Sequence, residues 1–225
     1  HASPDGELVA FGVSEGGTET STLRILRAAT GGLLAAELPD CRAASVAWLP
    51  DGRGFWYARS PAGDEYNRAI WFHRVGPSVA EDRQLWHDEQ RPETWPDVAC
   101  SPDGAWVLVH AMLGWSNVEV HLHEVATGNW TAVSVGDRCD NSFAFGGDGI
   151  IGVTTLGAPR GRVVTASLDA PMASSWRTLV AERDVVLGGF ALTADEIVVV
   201  ATDVAVDRVE RRSLVDGELL GTIDG

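Results

Sequence analysis

The chain has 225 residues, 45% of them hydrophobic and 22% charged, with no lysine and a formal net charge of −15. No apolar run approaches the ~18 residues of a membrane span, and arginines stand singly among carboxylates rather than in a basic stripe, so neither membrane nor nucleic acid is an expected partner. Cys41, Cys100 and Cys139 form no Cys-x-x-Cys pair, which indicates reduced, buried thiols, a cytoplasmic setting, and neither metal nor cofactor.

The first recognisable element is the turn Ser3-Pro4-Asp5-Gly6, followed by predicted strands at 8–13, 22–27 and 33–38. A second unit opens with a strand at 45–49, turns at Leu49-Pro50-Asp51-Gly52, and continues with strands at 54–59, 69–75 and 83–87. Ser101-Pro102-Asp103-Gly104 marks a third, with strands at 97–101, 106–111, 118–125 and 130–133. Gly146–Gly149 and Leu192–Glu196 hold the same place in a fourth and a fifth. Their strands are predicted at 142–145, 150–155, 162–168 and 176–180, then at 188–192, 196–202, 207–214 and 218–223.

The turn aspartates recur about 45–52 residues apart, the period of four-stranded propeller blades. In each turn proline pre-sets φ and glycine accepts the positive φ of a tight reversal. No segment keeps a 3.6-residue apolar period for three turns, so no long helix is expected. The fold class is therefore all-β: a propeller with about five four-stranded blades, the first lacking its inner strand. Approximate blades are 1–40, 41–90, 91–136, 137–183 and 184–225, forming a single partial domain.

Ser3-Pro-Asp-Gly-Glu-Leu-Val-Ala-Phe-Gly12 and Val46-Ala-Trp-Leu-Pro-Asp-Gly-Arg-Gly-Phe-Trp-Tyr-Ala-Arg-Ser-Pro61, the latter followed by Asn67-Arg-Ala-Ile-Trp-Phe-His-Arg-Val-Gly76, resemble the propeller of prolyl oligopeptidases. That family joins a seven-bladed propeller to an α/β-hydrolase peptidase domain. The resemblance implies that this chain is roughly the second to sixth blades, cut from a longer protein, with the peptidase domain absent. The implied role is to gate a serine peptidase that hydrolyses short peptides. The resemblance also places Trp56, Trp95, Met112 and Trp115 near the rim of the substrate pocket. Met112 stands where many members carry an arginine that holds the peptide backbone, and a thioether has no donor to replace it.

A serine peptidase needs a nucleophile elbow on a strand-to-helix turn. No Gly-x-Ser-x-Gly elbow, oxyanion loop or ordered triad is expected in this chain, and its catalytic residues are none. His121 and His123 share a strand face with Glu119, while Glu124 points away. A solvated outer-strand face is the expectation there, not a metal site. The strand tryptophans Trp48, Trp71, Trp86, Trp106, Trp130 and Trp176 are expected to fill the wedges between blades. Two other readings compete: a stand-alone propeller scaffold that binds protein partners, and the propeller of an oligopeptidase B-like enzyme with a preference for basic residues.

Overall fold

The computed structural model describes residues 1–223. Among the described residues nineteen strands are arranged as five antiparallel meanders, and backbone contacts divide the chain into two compact units.

The first unit holds residues 1–113 and 123–129. Its first sheet has three strands, β1 (Leu8–Ser14), β2 (Ser21–Arg27) and β3 (Leu33–Leu38), in that order. Its second sheet is β4 (Val46–Trp48), β5 (Gly54–Arg59), β6 (Ala69–Arg74) and β7 (Arg83–His87). β8 (Trp95–Cys100) and β9 (Trp106–Met112) follow. They belong to a third sheet completed by β10 (Val118–Glu124) and β11 (Trp130–Ser134), in the order β11-β10-β9-β8.

The turns explain the repeat chemically. In Ser3–Gly6 the Ser3 hydroxyl donates to Asp5 Oδ1 at 2.5 Å, that oxygen accepts the Glu7 N–H at 3.0 Å, and Ser3 Oγ accepts the Leu8 N–H at 2.9 Å. Ser101 and Asp103 repeat this, with 2.6 Å between their oxygens and N–H bonds from Ala105 and Trp106. These bonds hold the Asp5 and Asp103 carboxyls below the usual carboxylate range. Gly6, Gly52 and Gly104 take φ of 72°, 66° and 74°, a conformation that a Cβ disfavours.

β5 shows how sequence parity becomes packing. Successive side chains point to opposite faces. Phe55 and Tyr57 enter a core with Ala10, Leu23, Ile25, Leu38 and Trp48, whereas Trp56 and Ala58 enter another with Val98, Val107 and Val109. A strand covered on both faces reads as a continuous apolar run, as Gly54–Arg59 does. Behind Phe55 lies a buried polar network. Tyr57 donates to Asp82 Oδ2 at 2.7 Å and His73 Nδ1 lies 2.8 Å from Asp82 Oδ1.

The second unit holds residues 114–122 and 130 onward. One sheet is β12 (Asn141–Gly146), β13 (Gly149–Thr154), β14 (Arg162–Ser167) and β15 (Arg177–Val180). The other is β16 (Val186–Leu192), β17 (Glu196–Asp203), β18 (Val206–Ser213) and β19 (Leu219–Ile223). Their shared core joins Ile151, Val153, Val163 and Leu179 to Leu187, Ile197, Val199 and Ala201. At Gly152 a Cβ would stand 2.0 Å from the Ser142 carbonyl oxygen, so close strand approach requires glycine there.

Three expectations change. Trp130 is exposed rather than wedged between sheets, because β11 is an outer strand. Trp176 precedes β15, closes a short 3-10 turn and donates its indole N–H to the Pro171 carbonyl. The Glu119/His123 face is not solvated: both residues are buried, because β10 lies inside its sheet, and Glu119 accepts the Gly136 N–H at 3.0 Å.

Candidate functional site

The connections β1–β2, β3–β4, β5–β6 and β7–β8 of the first unit lie opposite the Pro-Asp-Gly turns along the strands, as the meander requires. Two of the four tryptophan and methionine candidates meet there. Trp95 opens β8, Met112 ends β9, and the antiparallel register sets them directly opposite each other. Both are half-buried. Trp56 lies elsewhere: it is only 8% exposed and packs its ring 4.6 Å from that of Phe72 in the core between sheets. Trp115, in the β9–β10 connection of the second unit, is fully exposed.

Trp95 is also the floor for two arginines. The Arg68 guanidinium carbon lies 3.3 Å from the indole centre and that of Arg42 lies 5.7 Å away. Such stacking uses the flat face of the cation and leaves its in-plane N–H donors for other partners. Arg42 pairs with Glu19. Arg68 is 3% exposed, and its Nε and both terminal nitrogens have no hydrogen-bond partner. Burial first, and the neighbouring Arg42 charge second, pull its pKa down to about 10, so it remains a cation at neutral pH.

Arg68, Arg42 and Glu19 line a cavity of about 370 Å³ together with Asp40, Ser60, Asp64 and Glu65. Its walls are fixed by backbone bonds: Ser60 N–H to the Asp40 carbonyl at 3.0 Å and Asn67 N–H to the Pro92 carbonyl at 2.8 Å. Asp40 and Asn67 hold φ of 58° and 53°, and the Asn67 amide donates to Asp64 at 2.8 Å. Left-handed backbone at non-glycine positions persists where surrounding bonds over-determine it, often at binding sites. A second cavity of about 450 Å³ shares Asp40 and Ser60 and is lined by Arg59, Trp71, Gln84 and His87.

The spacing Gly-x-Ser-x-Gly does occur, at Gly12-Val13-Ser14-Glu15-Gly16. Structure decides its meaning. Ser14 ends β1, the chain reverses into β2 rather than entering a helix, and its hydroxyl lies 2.8 Å from that of Ser21. That is a hairpin, not a nucleophile elbow. Among the described residues no group of three His, Cys, Asp or Glu side chains could hold a metal, and no helix is long and apolar enough to cross a membrane. The three cysteines are free thiols, and burial pushes Cys41 up to about 12 and Cys100 up to about 11, so neither is poised as a nucleophile.

Comparison with known proteins agrees with this fold. The family model for the prolyl oligopeptidase N-terminal beta-propeller domain matches residues 1–224. A prolyl endopeptidase of Elizabethkingia meningoseptica is 25% identical over 79% of this chain and 26% of its own length. The prolyl oligopeptidase ophP of Omphalotus olearius is 26% identical over 98% of this chain and 33% of its own. A solved prolyl endopeptidase superposes with a TM-score of 0.92 at 21% identity, over all of this chain and 34% of that one. The chain thus spans between a quarter and a third of these relatives, and the matched model, covering every repeat, identifies it as a member of the prolyl oligopeptidase N-terminal β-propeller family.

Proposed function

We propose that this chain is the substrate-gating propeller of a cytoplasmic serine oligopeptidase whose α/β-hydrolase domain lies outside residues 1–225. The family match over residues 1–224 carries the reading. The chemistry is peptide hydrolysis through an acyl-enzyme on the partner domain, and this chain's contribution is selection. A propeller covering a catalytic cleft passes an extended short peptide and excludes a folded domain by size. In this reading Trp95 and Met112, side by side at one strand end, offer the peptide an apolar wall. The buried position of Trp56 favours a packing role for it. The free thiols support the cytoplasmic setting.

The test is cleavage by the full-length protein of one proline-containing sequence in two forms, as a short unfolded peptide and embedded in a stable folded domain. Only the unfolded peptide should be cut; equal cleavage of both would remove the gating role. Met112→Arg should lower KM by a few-fold with kcat unchanged, since a guanidinium adds donors for the peptide backbone without touching the reacting atoms. Unchanged KM would separate Met112 from the peptide path. Preference for a basic residue over proline would move the parent toward the oligopeptidase B type. Lack of cleavage with tight binding of another protein would favour a scaffold.

A further inference from the structure

Arg68 is a buried guanidinium with every nitrogen unpaired, stacked on an indole and bordering a cavity. Burying a cation without a counter-charge is costly, and the indole face offsets only part of that cost. What the site lacks is a planar anion in the guanidinium plane, and a carboxylate fits that fork with two parallel hydrogen bonds. A polyanion such as phosphate fits poorly, because Glu19, Asp40, Asp64 and Glu65 line the same cavity and would repel it. The same four carboxylates suit an ammonium. A positive group at the wall and a ring of negative groups around it together match a zwitterion. At about 370 Å³ the cavity has room for an amino acid or a very short peptide.

We propose that this cavity binds a free amino acid or short peptide by its α-carboxylate, with Arg68 gripping the carboxylate and the surrounding Asp and Glu side chains receiving the α-ammonium. The Arg68 nitrogens carry next to no accessible surface, so entry requires a neighbouring side chain to yield. The Arg42–Glu19 pair lines the cavity and keeps much of its side-chain surface in solvent, where such a pair is held weakly, so it is the element expected to yield. The proposal does not depend on the peptidase reading.

The experiment is calorimetric titration of the full-length protein, pre-treated with a fluorophosphonate so that any active serine is blocked. Alanine, Ala-Ala, Ala-Ala amide and N-acetyl-Ala-Ala are the probes. A saturable heat is expected with alanine or Ala-Ala, and the one that binds more tightly identifies the ligand length. The amide and the acetylated peptide should each bind roughly tenfold or more weakly, because each loses one charge-assisted contact. Arg68→Lys, which keeps the charge but loses the fork, should also weaken binding roughly tenfold. No saturable heat with either alanine or Ala-Ala, or equal affinity for acid and amide, would overturn the proposal even if the variant failed to fold. Unchanged affinity in a folded Arg68→Lys protein would overturn it too. If the fluorophosphonate leaves no adduct, the peptidase reading falls while the titration still decides this one.

Discussion

Glu210→Ala is expected to destabilise the second unit by about 3 kcal/mol, the low end of what breaking a buried ion pair costs. Glu210 sits on β18, 7% exposed, and takes a bidentate pair from Arg183 at 3.1 and 2.9 Å and a third bond from Arg212 Nε at 2.7 Å. Without it the Arg212 side chain, itself only 11% exposed, keeps only its bond to the Gly217 carbonyl. The loss should also depend on pH. Burial pushes the Glu210 carboxyl up, but the bonds from Arg183 and Arg212 outweigh it and the net direction is down. A carboxyl with a folded pKa below its unfolded value contributes full stability above the unfolded value, about 4.3, and loses it as pH falls through the lower folded one. Urea unfolding at pH 7 should therefore separate wild type from Glu210→Ala more than unfolding at pH 3. An equal gap at both pH values would mean that the carboxylate charge is not what holds β18.

In the first unit, Phe55→Ala is expected to cost about 3–5 kcal/mol, the range for truncating a fully buried aromatic. The ring is inaccessible and lies 4.7 Å from Trp48, 5.8 Å from Tyr57 and 5.3 Å from His73. Removing it opens a cavity beside the Tyr57–Asp82–His73 network, where water would compete for bonds made in a dry environment. Leu33→Ala, at a side chain 55% exposed, is the control and should change stability by less than about 0.5 kcal/mol. Urea midpoints at constant slope measure both. Similar small shifts for the two would show that this core does not hold the first and second sheets together.

The strand grammar was legible because it rests on local chemistry. Predicted strands at 33–38, 54–59 and 83–87 coincide with β3, β5 and β7, and the Ser-Pro-Asp-Gly turns announce themselves through side chains that bond within five residues. The site was less legible. Arg68 follows Asn67 at the edge of a strand and reads as an ordinary surface arginine. Its burial comes from Trp95, which belongs to the next sheet and has no local signature pointing back to it. His73 likewise has no acidic partner near it in sequence, and the turn at Val79–Glu81 brings Asp82 to it. For Trp56, Trp95, Met112 and Trp115 the family resemblance marks a neighbourhood but not a direction. A single step of strand parity sends Trp56 into the core, whereas pairing register sets Trp95 beside Met112. The pentapeptide Gly12–Gly16 shows the reverse case, a catalytic spacing without the strand-to-helix turn that gives it meaning.

The most direct test of the gating account is fluorophosphonate labelling of the full-length protein, followed by intact mass and mapping of the modified peptide. One adduct on a species well above the 24.0 kDa of this chain, at a serine outside residues 1–225, is the expected result. An unlabelled protein, or an adduct on a serine within these five repeats, would contradict the account.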